Sequence, residues 1–360
     1  MKRLLWAAAL VSGFAMTALA DVNLNVDVQY DYRANFDTNS AKNNYNADAN
    51  PSSPNLYGLN WGAVYLSGDI INNVKGNFLY DVTAQSIFSS GVWYANLDWA
   101  ALNNSHLIVG LQNTIFGIYI PGMTYGRTVD TGVTWTQDFG IAGYALEGVA
   151  GVPSTLYDDY DTTFDGTDIS GSTQRNIPTF EGELLIKPVL GLTLGVAGRL
   201  SEYNIATSDF GNITNNESGL EGYVTLAGSN GLLDRLSLTL DYAELFNSIS
   251  YTGGRGNTTT NVNSYYFASD INYNFGSVIS GLKYVIEQSD TTTATNGLNQ
   301  WIDVYAKILI GDGGHLAITP YVQYNLDWAG SSTPENIAWF RVRLEWQFDF
   351  PVYKEAPAKS

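Results

Sequence analysis

The most constraining feature of the chain is an unbroken alternation of apolar and polar residues near its C-terminal end. From Ala338 to Phe350 the sequence reads AWFRVRLEWQFDF, with an apolar residue at every second position over thirteen residues. Successive side chains of a β-strand point to opposite faces, so this segment predicts a strand with one wholly apolar face. Strands of soluble proteins usually have about five or six residues, whereas a tilted strand that crosses a bilayer needs about 9–11. The pattern therefore favours a membrane-spanning strand.

The same alternation occurs near the N-terminal end of the chain. Between Val22 and Arg33, apolar residues alternate with Asn, Asp, Gln and Arg. A first and a last strand of the same kind can pair and close a cylinder, which leaves no unpaired strand edge in lipid. We therefore predict an all-β fold, a transmembrane antiparallel β-barrel.

Residues 1–20 have the three parts of a secretory signal peptide. Lys2 and Arg3 are positively charged, Leu4–Leu10 is apolar, and Ala18-Leu19-Ala20 matches a cleavage site before Asp21. The short apolar core disfavours an uncleaved membrane anchor. The predicted organisation is a cleaved signal peptide at 1–20, the barrel at 21–350 and a periplasmic tail at 351–360.

Composition limits the other classes of protein. After residue 20 there is no run of 18 apolar residues, so no transmembrane helix is expected. The chain has no cysteine, which rules out disulfide bonds and a lipid-modified cysteine. A formal net charge of −18 argues against nucleic acid or an anionic membrane surface as a partner. A hydrophobic content of 45% suits either a soluble protein or a membrane barrel, so periodicity has to decide between them.

Sixteen segments have the composition and alternation of strands. They are residues 21–33, 58–71, 76–88, 91–100, 106–116, 131–138, 140–152, 177–187, 191–201, 218–227, 235–246, 263–275, 278–287, 299–310, 316–327 and 337–350. Glycines blur the pattern in the second, fifth and sixth segments, and only Phe139 separates the sixth from the seventh. Counts of 14 or 18 strands therefore stay open.

The lengths of the connections give independent support. Connections after even-numbered segments are short, as at residues 72–75 and 276–277, whereas most of those after odd-numbered segments are long and polar, as at 34–56 and 153–176. The exception is the pair Ser89-Ser90 after the third segment. Membrane barrels have short periplasmic turns and long external loops. The pattern predicts an even strand number and both termini in the periplasm.

Short motifs between Tyr80 and Gly117 carry a family resemblance. Tyr80-Asp81-Val82-Thr83, Ala95–Asp98 and Val109–Gly117 look like the early strands of the phosphate-selective porin O/P-type group. In its signal peptide, length and strand count the chain also resembles the sixteen-stranded porins of the Gram-negative outer membrane. It departs from them in two ways: the last strand is followed by 351–360 instead of ending on a terminal phenylalanine, and few lysines fall on the inward phase.

The resemblance implies a location and partners. It places the protein in the bacterial outer membrane, in contact with lipid and lipopolysaccharide, as a homotrimer. It implies passive diffusion of ions and small hydrophilic solutes through a water-filled channel, with no cofactor, no metal and no nucleic acid partner. Alternatives are a saccharide- or anion-selective porin and an outer-membrane adhesin or structural barrel.

In porins the third external loop folds into the barrel and narrows it. By count this loop is the connection after the fifth segment, at residues 117–130. An ordinary surface loop is the alternative. The candidate constriction residues are Tyr119, Tyr125, Arg127 and Asp130.

Charged residues on the inward phase are candidates for lining the pore. Arg33, Arg341 and Arg343 are neighbours if the first and last strands pair, and a loop of opposite charge would set up a transverse field. The alternative is simple pairing of these arginines with Asp31 and Glu345. Acids outnumber bases on this phase, which predicts a weak preference for cations. The pore-lining candidates are Asp31, Arg33, Arg199, Asp241, Asp303, Lys307, Arg341, Arg343 and Glu345.

Four aromatic residues also fall on the inward phase: Tyr266, Trp301, Tyr321 and Trp339. They either stack against sugar rings in the lumen or belong to the aromatic belt at the membrane interface.

The sequence contains no pattern of an enzyme. The two histidines, His106 and His315, lie beside predicted periplasmic turns, and no Gly-x-Ser-x-Gly, HExxH or phosphate-binding loop occurs. The acidic run 158–168 lacks the spacing of an EF-hand. We therefore expect no catalytic activity.

Overall fold

The structure is a computed structural model of the full chain. It describes residues 22–35, 55–71, 73–81, 92–120, 123–125, 129–149, 163–164, 167–168, 172–207, 211–227, 234–252, 258–289, 297–311, 315–327 and 337–353. The predicted signal peptide and most of the predicted tail lie outside these ranges. Within them no helix is long and apolar enough to cross a membrane.

The described residues form twenty strands. They are β1 (Val22–Asn35), β2 (Asn55–Ile71), β3 (Val74–Asp81), β4 (Val92–Leu102), β5 (Ser105–Asn113), β6 (Ile118–Ile120), β7 (Met123–Tyr125), β8 (Val129–Asp138), β9 (Ala142–Val149), β10 (Thr163–Phe164), β11 (Thr167–Asp168), β12 (Ser172–Val189), β13 (Leu192–Thr207), β14 (Gly211–Ala227), β15 (Leu236–Thr252), β16 (Thr258–Asn274), β17 (Val278–Ser289), β18 (Gly297–Ile310), β19 (Leu316–Asp327) and β20 (Ile337–Tyr353).

Sixteen of these strands form one closed antiparallel barrel, which confirms the predicted fold class and strand number. Each strand pairs with the next one along the chain, and β1 closes the cylinder by pairing with β20. The other four strands form two small hairpins, β6–β7 and β10–β11, in the connections after β5 and β9. Closure satisfies the backbone groups of both terminal strands, which is what a wall in lipid requires.

The seam between β1 and β20 is longer than the sequence predicted. Leu24 lies opposite Phe350, and the pairing continues to Val22 opposite Tyr353, three residues beyond the predicted end of the last strand. Pro351 has no N–H to donate, and it lies beside a shift of register between Val22 and Asn23. Such irregular positions are where a strand tolerates proline.

The two faces of the barrel wall differ in character, as the alternation predicted. On β13 the side chains of Val196 and Leu200 are exposed, whereas Ala197 and Arg199 between them are buried. The exposed side chains are large and apolar, and those of the other phase are small, polar or charged. An outward apolar face and an inward polar face are typical of a membrane-spanning barrel.

All seven short connections lie at one end of the barrel. They join β2–β3, β4–β5, β8–β9, β12–β13, β14–β15, β16–β17 and β18–β19. Both Val22 and Tyr353 lie at this same end. At β8–β9 the backbone N–H of Gly140 donates to Asp138 Oδ1 at 2.6 Å, which closes a turn and makes the sixth and seventh predicted segments two separate strands. The predicted connection Ser89-Ser90 lies outside the described residues.

The strands from β12 to β16 have 16–18 residues. A bilayer needs only about 9–11 residues of tilted strand. Their additional residues lie toward the end with the long connections, so this side of the wall continues beyond the apolar band.

Candidate constriction of the barrel lumen

The chain leaves the barrel wall after β5 and continues inside the lumen. Thr114 and Phe116 are almost completely buried, and β6 lies next to β15 and β16, on a distant part of the wall. We call residues 114–120 the inner segment. Its course places the first part of the connection after the fifth strand, residues 114–120, within the barrel.

Three successive backbone amides attach the inner segment to the wall. The N–H groups of Ile115, Phe116 and Gly117 donate to the Oε2 atoms of three glutamates at 2.9, 2.7 and 2.6 Å. These are Glu147 on β9, Glu181 on β12 and Glu221 on β14. Backbone groups that leave a sheet need new partners, and a carboxylate provides a charge-assisted hydrogen bond. The inner segment therefore crosses successive strands along the inside of the wall.

The wall beneath the inner segment carries an acidic cluster, which we define as Glu147, Glu181, Glu217 and Glu221. All four side chains are buried, and so is Arg199 among them. Arg199 donates from Nε to Glu181 Oε1 at 2.7 Å and from Nη1 to Glu217 Oε1 at 3.4 Å.

Burying a charge costs free energy unless it is paired and hydrogen-bonded. Arg199 supplies the opposite charge, while the amides of the inner segment and Gln112 Nε2, which donates to Glu147 at 2.7 Å, supply further hydrogen bonds. Because the inner segment covers these carboxylates, they do not face the open lumen.

Phe116 occupies a pocket in this wall. Its ring is fully buried, and the guanidinium carbon of Arg199 lies 4.8 Å from the ring centre. A Cβ atom at Gly219 would lie only 2.5 Å from Phe116 Cζ, so the ring lies directly against the glycine backbone. Small and apolar side chains complete the buried cluster around the ring: Ala197, Ala243, Leu245, Tyr266, Ala268 and Val285.

The predicted constriction residues have different positions relative to this segment. Tyr119 lies in β6 and Tyr125 in β7, the hairpin that continues the inner segment. Asp130 lies in β8, where its backbone pairs with Gln112, so it belongs to the wall and not to the loop. Arg127 lies outside the described residues.

The seam strands bring the three predicted arginines together. Arg341 lies directly opposite Arg33, and Arg343 lies opposite Asp31. The Arg341 guanidinium carbon is 4.6 Å from the ring centre of Tyr321, and its Nη1 donates to Gln323 Oε1 at 3.4 Å. The side chains of Asp31 and Arg33 lie outside the described part of the structure.

The strands near the seam carry charges of both signs. Lys307 donates from Nζ to both carboxylate oxygens of Glu345 at 3.1 and 3.0 Å. Asp303 pairs in register with Lys283 on β17. Acids and bases are therefore neighbours on this side of the lumen. Asp241, on β15 farther round the wall, is buried on the inner face.

Sequence reasoning missed Glu217 and left open whether four aromatic residues lie in the lumen or in an aromatic belt. The predicted tenth strand begins at 218 and so excludes Glu217, although Glu217 lies four residues before Glu221 on the same face. Tyr266 and Tyr321 are buried inside the barrel and are not part of an outer aromatic belt, and Trp301 packs at the edge of the Phe116 cluster. The side chain of Trp339 lies outside the described part of the structure.

Solved structures of outer-membrane proteins share this fold. The outer membrane channel DcaP of Acinetobacter baumannii aligns with 15% identity and a TM-score of 0.65 over 91% of this chain and 97% of its own. For the anion-selective porin from Comamonas acidovorans the values are 11%, 0.56, 91% and 99%. For OmpF of Salmonella typhi, solved in complex with daunomycin, they are 13%, 0.57, 91% and 97%.

These likenesses concern the fold. No family model and no curated protein matches the chain, so the narrower resemblance to the porin O/P-type group is not confirmed. The chain has the architecture of the sixteen-stranded outer-membrane porins.

Proposed function

We propose that the protein is an outer-membrane porin that forms a water-filled channel for the passive diffusion of ions and small hydrophilic solutes. The observation that carries this proposal is the inner segment. A closed barrel has an exposed apolar outer face and a charged inner face, and the inner segment is attached along that inner face, where a porin would carry its constriction. The alignment with DcaP, an outer membrane channel, supports the same function.

We propose the location and the assembly from the resemblance to porins, which the barrel architecture supports. The exposed apolar side chains face lipid and lipopolysaccharide in the bacterial outer membrane, which the chain reaches by a cleaved signal peptide. The assembly is a homotrimer, and the segment after the last strand lies in the periplasm as a tail.

The protein has no proposed catalytic role. Nδ1 of His106 lies 2.8 Å from Asp98 Oδ1, beside the turn after β4. No group of three acidic or histidine side chains suitable for a metal ion occurs among the described residues.

We further propose a weak preference for cations. The chain carries a net charge of −18, and the seam side of the lumen carries charges of both signs. The acidic excess of the whole molecule then attracts cations more than anions to the pore. An anion-preferring pore is the second candidate, because Arg33 and Arg341 are direct neighbours. The aligned porin from Comamonas acidovorans is anion-selective.

Single-channel recording in planar lipid bilayers tests the channel function. Purified protein should produce stepwise conductance increments, and the reversal potential in a KCl gradient gives the selectivity. Absence of increments from folded protein would contradict the porin function and favour an adhesin or a structural barrel. A reversal potential of anion sign would support the second candidate.

A further inference from the structure

We infer that Phe116 and its pocket fix the position of the inner segment and thereby set both the width of the pore and its exposure to the acidic cluster. This inference rests on the proposed channel function for its meaning, but its structural part can be tested separately.

Phe116 is the part of the attachment that depends on the side chain. The hydrogen bonds from Ile115, Phe116 and Gly117 to the glutamates are donated by backbone N–H groups, which any residue except proline provides. The ring of Phe116 needs a pocket of matching size. The wall provides this pocket because small residues occupy the positions where large side chains would fill the space. Ala197, Ala243 and Ala268, on β13, β15 and β16, are buried in this cluster.

Gly219 is required for this fit. A Cβ atom there would lie 2.5, 2.8 and 3.0 Å from Cζ, Cε2 and Cε1 of the Phe116 ring. A long surface side chain could move away from such a contact. Phe116 cannot move freely, because its own amide and that of Gly117 are bonded to Glu181 and Glu221, and Arg199 covers the ring. A methyl group at Gly219 therefore displaces the inner segment.

The ring also separates the acidic cluster from lumen water. Arg199 lies between the Phe116 ring on one side and Glu181 and Glu217 on the other. The attraction between a guanidinium and an aromatic ring is stronger when the contact is dry. Loss of the ring would wet Arg199 and the carboxylates beneath it, so that permeating ions would meet acids that the native pore conceals.

The test compares Gly219→Ala and Phe116→Ala with Gly222→Ala as a matched control. Gly222 lies on the same strand, and a Cβ atom added there would meet no neighbouring atom within 4 Å. Hydrogen–deuterium exchange of the Ile115, Phe116 and Gly117 amides is measured by mass spectrometry on folded barrels in lipid nanodiscs. We expect exchange to accelerate about tenfold or more in the two pocket variants and to stay unchanged in Gly222→Ala.

Single-channel recording supplies the functional readout. Phe116→Ala and Gly219→Ala should raise the conductance and shift the reversal potential toward greater cation preference, whereas Gly222→Ala should match the wild type. Conductance and reversal potential equal to those of the wild type in both pocket variants would overturn the inference. So would exchange rates equal to those of Gly222→Ala.

Two further outcomes are informative. If the exchange contrast holds but even the wild type forms no channels, the channel function fails while the pocket remains supported. If Gly219→Ala does not fold, Phe116→Ala decides alone, because it removes atoms and introduces no clash. Native exchange rates in that variant would overturn the inference.

Discussion

Leu240 and Thr239 are adjacent residues of β15 that face opposite environments. Asp241 and Ala243, which share the phase of Thr239, are buried on the inner face, whereas Tyr242, in the phase of Leu240, is exposed on the outer face. Thr239 also lies opposite Asp270 in the register of β15 and β16. The two positions therefore test which face is in lipid.

We expect Leu240→Arg to destabilise the barrel by about 2–4 kcal/mol, because it places a charge on the lipid face near mid-bilayer. Thr239→Arg should be tolerated and alter conductance, because its side chain enters the lumen near Asp270. The free energy of unfolding in lipid vesicles, measured with a denaturant, gives the comparison. A larger loss of stability in Thr239→Arg than in Leu240→Arg would mean that the inward and outward phases are exchanged, and equal stability of the two variants would contradict the assigned phase.

Arg199 is the second residue whose environment predicts a measurable effect. It is buried between Glu181 and Glu217, and removal of one partner from a buried ion pair leaves charges without compensation. We expect Arg199→Met to lower the free energy of unfolding by about 3–5 kcal/mol.

Arg235→Met is the control for this prediction, because Arg235 is exposed in the turn before β15. Its effect should stay within about 0.5 kcal/mol. A triple variant that combines Arg199→Met with Glu181→Gln and Glu217→Gln should recover part of the loss. No recovery would show that packing, and not charge, is the reason for the Arg199 effect.

At the scale of the strands, the apolar alternation was a reliable guide only where the strand crosses the apolar band. The core of β12 was predicted at 177–187, but the strand runs from Ser172 to Val189. Its first residues are polar on both faces. A part of a strand that extends beyond the lipid needs no apolar face, so alternation does not indicate it in the sequence. Gly110 blurred β5 for a different reason: a Cβ there would lie 2.4 Å from the Ala95 carbonyl oxygen.

The course of the inner segment was predictable only in part. Counting strands indicated which connection would enter the barrel, but the attachment of residues 114–120 depends on contacts between residues far apart in sequence. Glu221 is bonded to Gly117 across 104 positions, and nothing in the local sequence of either residue indicates the other. Phe116 was expected to be a strand residue, because it is the last residue of the fifth predicted segment, 106–116.

The orientation of the strands in the membrane leads to a third prediction. The chain has no cysteine, so a single introduced cysteine gives a unique label. Cysteines at Thr163 and Thr258, beside long connections, should react with an impermeant maleimide on intact cells. A cysteine at Asp234, in the short connection before β15, should react only after the outer membrane is permeabilised. The reverse pattern would invert the topology.

At the scale of the whole molecule, the distribution of charge differs from what a count of inward residues suggests. The structure buries Glu147, Glu181 and Glu221 with Arg199 under the inner segment, so these charges contribute less to the open lumen than others. The seam side keeps Arg341 and Arg343 on half-exposed positions. In the proposed channel, selectivity would therefore depend on a diffuse acidic excess that opposes a local group of arginines.

This opposition predicts how selectivity changes with salt and with substitution. Electrostatic interactions in water are screened over about 8 Å at physiological ionic strength and about 3 Å at 1 M salt. The diffuse acidic excess acts over longer distances than the arginines do. The cation preference of the wild type should therefore be clearest at low salt and fade as salt is raised.

The double variant Arg341→Gln and Arg343→Gln tests the local contribution. Removal of both charges should move the reversal potential in a KCl gradient further toward cations, and the change should persist at higher salt because permeating ions pass close to these side chains. Arg235→Gln, in the exposed turn before β15, loses one positive charge from the same chain and should leave the reversal potential unchanged. If the wild type has a reversal potential of anion sign at low salt and the double variant abolishes it, the arginines govern the pore and the anion-preferring function is the correct one. If the double variant has the same reversal potential as the wild type, ions do not pass near the seam strands, and the permeation path lies on another part of the inner wall.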